Sequence, residues 1–190
     1  MDGENDMNDA PINQPRRKDR EVKDTAWIQA LLQRAPVGVL ATSDQDQPFV
    51  HINLFVYEGT ANVIYLHSAQ EGRTPSNLRA NPKVSFGVSE MGRLLPADTA
   101  LEFSVEFSSV IVFGLVKLVE DRAEAERGLQ LLLDKYFPHL QPGRDYRPIQ
   151  EKELARTAVY RLEIESWSGK RKKVDEDFPG AFLYPYRETQ

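Results

Sequence analysis

Apolar runs of β-branched and alternating residues recur along this chain and outnumber the stretches with a helical period. Val37 to Ser43 is apolar and β-branched. Pro48 to Tyr57 and Val63 to His67 follow it across the polar turns Asp44–Gln47 and Glu58–Asn62, which predicts a meander with short turns. Lys83 to Val88 is a further strand and residues 91–99 read as a loop. A long β pattern runs from Ala100 to Val119, and Thr157 to Ser166 is the last strand, with Ala158, Tyr160, Leu162 and Ile164 alternating. The helical period appears from Asp24 or Thr25 to Arg34, ended by Pro36, and from Arg122 to Tyr136, with Ala125, Leu129, Leu132, Leu133 and Tyr136 inward and Pro138 as the stop. Shorter helices are expected at Pro75–Ala80, closed by Asn81-Pro82, and near Gln150–Ala155. Strands outnumber helices and most connections are too short for parallel crossovers. The expected fold is mostly β (β+α), an antiparallel barrel with helices outside.

Polar composition divides the 190 residues into a mobile N-terminal arm (1–23), one domain (24–175) and an aromatic C-terminal tail (176–190). The 29 acidic residues exceed the 24 basic ones, so nucleic acid is not the expected partner. The absence of cysteine excludes disulfides, thiol chemistry and thiolate-bound metal. The three histidines are scattered, and no metal site is expected. No apolar run reaches the roughly 18 residues of a membrane span. The N-terminus is acidic and polar, unlike a signal peptide, and the expected location is the cytoplasm.

The stretch from Tyr65 to Glu90 carries the chemistry. It reads as strand, polar loop (Ser68 to Thr74), short helix, stop and strand, with Gly72-Arg73 where loop becomes helix. Backbone N–H groups at a helix start, together with a guanidinium, make an anion site of phosphate size. No nucleophile elbow, Walker loop or GxGxxG is present.

The ordered set Pro48-x-x-x-x-Asn53, Tyr65-x-His67-x-Ala69-x-x-Gly72-Arg73 and Asn77-Leu78-x-x-Asn81-Pro82-x-Val84-x-Phe86 resembles the FMN-binding split-barrel superfamily of the pyridoxamine 5′-phosphate oxidases, and most of all its nitroimidazole-resistance (Nim)-like branch. Ser109-Val110-x-x-x-Gly114 and Trp167-x-x-Lys170, the latter expected after the last strand, fit the same branch. The resemblance covers residues 25 to 175. It implies a split β-barrel of the FMN-binding type and a homodimer with FMN at the subunit interface. The strand with His51, Ile52, Asn53 and Leu54 would lie along the isoalloxazine, and Ser68, Ala69, Arg73 and Thr74 would hold the phosphate. Trp167 and Lys170 would serve the FMN of the partner subunit. Thr74 departs from the family, which usually carries a basic residue after the Arg. Losing one charge-assisted bond costs roughly 1.5–3 kcal/mol.

Each of these residues also has a plainer reading. His67 either contacts FMN or substrate and moves a proton, or is a strand-end histidine bonded to backbone. His51 lies by the flavin strand or on an outward polar face. Ser109 bonds the cofactor or a strand neighbour, and Trp167 packs on FMN or closes the barrel. The function the resemblance implies is an FMN-dependent oxidoreductase acting on a small molecule such as a nitro compound, neither nucleic acid nor membrane being a partner. The alternative is a split-barrel protein that binds haem, F420 or another ligand without flavin chemistry. The C-terminal WSGKRKKVDEDFPG does not look like the Arg-rich substrate-binding end of a true pyridoxamine 5′-phosphate oxidase. Phe178 to Tyr186 could act as a docking strap.

Overall fold

A computed structural model describes residues 11–184. Its strands are β1 (Glu21–Val22), β2 (Gly38–Asp44), β3 (Gln47–Asn53), β4 (Val56–Glu58), β5 (Val63–Ala69), β6 (Lys83–Leu95), β7 (Ser104–Leu118), β8 (Thr157–Lys172) and β9 (Phe182–Leu183). Its helices are α1 (Thr25–Arg34), α2 (Arg73–Ala80), α3 (Arg122–Tyr136) and α4 (Glu151–Leu154). All strand pairs are antiparallel, and the hydrogen-bonded path runs β3-β2-β6-β7-β8-β5-β4. The two ends of that path, β3 and β4, are joined in the chain by Leu54 and Phe55 alone. So short a link forces the twisted sheet to curl until its ends meet, giving a barrel that is split at this seam.

The seam corrects the expected single strand from Pro48 to Tyr57. At Phe55 the backbone leaves both ladders, and the Tyr136 hydroxyl replaces the lost partner. It accepts from the Phe55 N–H at 3.0 Å and lies 2.8 Å from the Pro36 carbonyl and 3.0 Å from that of Phe55. Phe55 is fully buried and meets the ring of Phe86 edge-on, centroids 4.9 Å apart. The meander holds in two pieces, since β2 pairs with β3 and β4 with β5, but β5 continues onto β8 and does not pair with β3. Three strands run further than expected or sit elsewhere. Strand β6 continues through the expected loop to Leu95, β8 continues to Lys172, and Glu21–Val22, expected in the mobile arm, pairs with Lys170 and Gly169 of β8. Residues 1–10 of the arm and 185–190 of the tail lie outside the described residues.

The core follows from the alternation. Leu40, Ile64, Leu66, Phe86, Val110, Val112 and Leu162 point inward, and α1, capped by Asp24, adds Ile28, Leu31 and Leu32. Helix α3 covers the other side of β5 and β8 through Leu132, against Val63, Tyr65 and Val159. At the far end of β6 and β7, Arg93 and Glu106 form a bidentate pair at 2.9 Å. Arg93 also donates to the carbonyls of Asp175 and Glu176, and Glu106 accepts from the Val174 N–H, so the pair ties down the segment leading to β9.

Two outcomes follow. Gly114 sits at a bulge against β8, where an added Cβ would lie 2.0 Å from the Glu163 carbonyl oxygen. Gly114→Ala is expected to cost about 1–3 kcal/mol in a denaturant titration. The Arg93 hydrogen bond, then that of the Val174 N–H, hold the Glu106 carboxyl down to about 2 from an ordinary 4.5. That stabilisation is complete above pH 4.5 and is lost as pH falls towards 2. Melting curves of Glu106→Gln should therefore start lower at neutral pH and decline less over that acid interval.

Candidate functional site

Strand β5 ends at Ala69, and the chain turns through Gly72, whose φ of 131° is open to glycine and strained for other residues. Gly72 is the N-cap of α2 and offers no side-chain cap. Pro75 has no N–H and that of Ser76 donates to the Gly72 carbonyl at 3.1 Å, so the first turn leaves the amides of Arg73 and Thr74 as the ones an anion could use. Arg73 is exposed at this turn and makes no ion pair among the described residues. The Ser68 hydroxyl, one turn of loop away, donates to the Ala69 carbonyl at 2.8 Å.

Thr74 takes another direction. It is buried, and its hydroxyl lies 3.1 Å from His51 Nδ1 instead of facing the anion loop. The same helix is held to β2 by Asn77, whose amide donates to Thr42 Oγ1 at 2.9 Å, and by Asn81, whose amide donates to Ser43 Oγ. The register of β2 on β3 places His51 opposite Leu40 and Asn53 opposite Gly38. Asn53 is buried, so its amide is not presented at the surface where the flavin strand was expected to offer it. Ile52 and Leu54 have the opposite orientation and are 68% and 47% exposed.

Ile52 belongs to a row that crosses four further strands: Ile52, Val39, Gly87, Ile111 and Ser168. Val37, Val50 and Met91 are also exposed, so the barrel carries an extended apolar outer face. Ser109 and Lys170 are register partners on this face. Trp167 and Lys170 lie within β8 and not after it. Trp167 opposes Val112 and packs against the core from its half-buried position. Ser68 pairs with Ala158, so about 40 Å of β8 path separates the anion loop from Lys170. The fold thus brings together His51, Thr74, Ser68 and Arg73 at one end, and Ser109 with Lys170 elsewhere.

His67 is exposed and lines a cavity of about 450 Å³. The opposite walls are Leu132, Leu133 and Tyr136 of α3 and, beyond it, Ile149, with Leu54 beside the histidine. Surrounding protein, and then the His51 imidazole, lower the His67 pKa below its ordinary 6.5, so the ring is neutral at pH 7. Behind the cavity wall, Lys135 lies 3.7 Å above the Phe55 ring and donates to the Ala35 carbonyl at 2.9 Å. Desolvation lowers its pKa to about 8. Sequence reasoning missed this cavity because its α3 lining has the same i, i+3, i+4 spacing as core residues. The aromatic and aliphatic positions just past Pro138, Tyr146 and Ile149, were the one available signal.

Among curated proteins none matches the chain. Three solved structures share its fold. The flavocytochrome Anf3 from Azotobacter vinelandii is 24% identical with a TM-score of 0.73, over 91% of this chain and 84% of the other. The FAD and heme binding protein from Mycobacterium smegmatis is 22% identical with a TM-score of 0.72, over 82% and 74%. A protein assigned to 5-nitroimidazole antibiotic resistance in Bacteroides thetaiotaomicron is 21% identical with a TM-score of 0.66, over 80% and 86%. No helix among the described residues is long and apolar enough to cross a membrane. The family profile described as pyridoxamine 5′-phosphate oxidase matches residues 24–171, and with the split antiparallel barrel it places this chain in the pyridoxamine 5′-phosphate oxidase family, among split-barrel proteins that include Nim-like relatives.

Proposed function

We propose that this protein is an FMN-dependent oxidoreductase that acts as a homodimer on a small molecule, a nitro compound being the substrate suggested by the Nim-like relatives. The observation that carries this reading is the uncapped start of α2 at Gly72, with Arg73 exposed and unpaired among the described residues. A phosphate there would accept from the Arg73 and Thr74 amides and the guanidinium, and Ser68 would turn its hydroxyl from the Ala69 carbonyl to a phosphate oxygen. The donor set therefore fits FMN even though Thr74 is turned to His51. Once bound, FMN supplies the two-electron chemistry, and the protein orients the ring and substrate and excludes water.

The apolar face from Ile52 to Ile111 is the surface a second copy would bury. Ser109 and Lys170 on that face are then the groups that reach the partner's cofactor. His67 is without a hydrogen-bond partner among the described residues, so its neutral ring is available to hold a proton beside the substrate.

A second reading is favoured by the histidine pair. Thr74 engages Nδ1 of His51, whose Nε2 has no hydrogen-bond partner among the described residues, and His67 is close enough for its charge to be opposed by that of His51. Two imidazoles, one of them lining an apolar cavity, are a donor set suited to haem. The Anf3 flavocytochrome and the mycobacterial FAD and heme binding protein, both similar in fold, are named for such a combination.

The visible spectrum of freshly purified protein, before and after FMN is added and excess removed, tests the first reading. Retained flavin absorbance is expected, and a protein that takes up no FMN overturns it. Arg73→Ala should weaken FMN binding about tenfold to a hundredfold in a fluorescence titration, by loss of a charge-assisted bond. Haem titration distinguishes the second reading: a Soret band that His51→Ala and His67→Ala each shift or abolish is its expected outcome. An imidazole NMR titration should find His67 titrating below 6.5, and its pKa should rise part of the way back in His51→Gln.

A further inference from the structure

The cavity beside His67 has a chemistry of its own. Its volume of about 450 Å³ falls in the range of small-molecule sites, about 300–1,000 Å³. Leu54, Leu129, Leu132, Leu133, Phe137 and Ile149 supply its apolar lining. The polar groups that remain are His67, Tyr136, Tyr146, Arg147 and Glu153, and most of their bonding capacity is already used.

Tyr136 spends its hydroxyl on the seam at Phe55 and Pro36. Arg147 donates to both oxygens of Glu153 at 2.6 and 3.2 Å, and Glu153 also accepts from the Gln150 N–H. Those two charges cancel each other. Tyr146 accepts from Gln130 Nε2 at 2.9 Å, which leaves its own proton to donate. His67 has both ring nitrogens without a hydrogen-bond partner among the described residues. The cavity therefore presents two neutral hydrogen-bonding groups and no unbalanced charge. A charged ligand entering it would lose its hydration and find no counter-ion, which is costly. An apolar one gains by burial, about 25 cal/mol per Å².

We propose that this cavity binds an uncharged aromatic ring compound, oriented by one or two hydrogen bonds to His67 and Tyr146. Leu54, one of the cavity walls, directly follows the strand proposed to lie along the flavin, so a ring held here lies at the edge of the cofactor site. That the bound ring is the redox substrate rests on the flavin reading above, and that the cavity binds it does not.

An isosteric series tests the charge rule: 2-naphthol, 2-naphthoate and 2-naphthylmethylammonium at pH 7.5, by equilibrium dialysis against the full-length protein with and without FMN. The expected result is a Kd for 2-naphthol at least tenfold below those of both charged analogues. Leu133→Trp and Ile149→Trp, which fill the cavity from two sides, should each raise that Kd tenfold or more and leave FMN uptake unchanged. Tyr146→Phe should raise it by a smaller factor. Should either Trp variant fail to fold, wild-type protein gives an independent reading. A nuclear Overhauser contact between 2-naphthol and the His67 ring is expected, and none to His139.

Equal or tighter binding of a charged analogue overturns the proposal. So does a Kd indifferent to both Trp variants, or the absence of the His67 contact, as when a second copy of the chain fills the space. Binding of 2-naphthol by a protein that rejects FMN would instead sink the flavin reading and leave the cavity assignment standing.

Discussion

The split of the barrel at Leu54 and Phe55 is the constraint on which the other features depend. Two residues must carry the chain from one end of a seven-strand path to the other, and the backbone there belongs to neither ladder. A buried amide without a partner costs about 1–3 kcal/mol. The Tyr136 hydroxyl removes that cost and in doing so fixes the end of α3 against the seam. The last turn of α3 then becomes a wall of the cavity, and Leu54 becomes the opposite lip. A single phenol thus ties barrel closure, helix placement and the mouth of the candidate site together.

The second organising feature is the way α2 faces two directions. Its buried side, Thr74 and Asn77, reaches into the barrel for His51 and Thr42. Its exposed start leaves amides and Arg73 available. Amphipathic helices commonly bury apolar residues. Here half of the buried set is hydroxyl and amide, which makes the attachment directional. The cost is visible at Asn77, whose Oδ1 is buried without a hydrogen-bond partner among the described residues. The arrangement makes the placement of Arg73 and the Thr74 contact to the His51 ring depend on one short element.

Much of the strand and helix content was legible because burial alternates regularly. Helix α3 begins and ends where its cap residue, Asp121, and its stop, Pro138, place it. The C-terminal extension of β6 was not legible, since Met91 to Leu95 holds a glycine and an arginine that resemble loop composition. Those residues become a strand because β7 offers them a ladder and Glu106 pairs with Arg93. The break after Asn53 was equally hidden. Phe55 and Tyr57 continue the apolar alternation, and only a partner 81 residues away, Tyr136, separates them from β3. Within the candidate site, the loop from Ser68 into a short helix at Arg73 was legible as strand, turn and helix start, whereas the inward turn of Thr74 depends on His51 from a different strand.

By itself, then, the sequence determined the local menu: antiparallel strands of alternating polarity, two amphipathic helices with their caps and stops, an uncapped helix start beside an arginine, and the exclusion of thiol chemistry. These are properties of residues within a few positions of one another, where backbone propensity and side-chain period suffice. Tertiary structure decided which strands pair, where the barrel splits, that His51 lies within electrostatic reach of His67, and that α3 and residues 146–153 line a cavity. Each of those depends on contacts between distant segments, whose free energy comes from burial and hydrogen bonding that exist only once the sheet has curled shut.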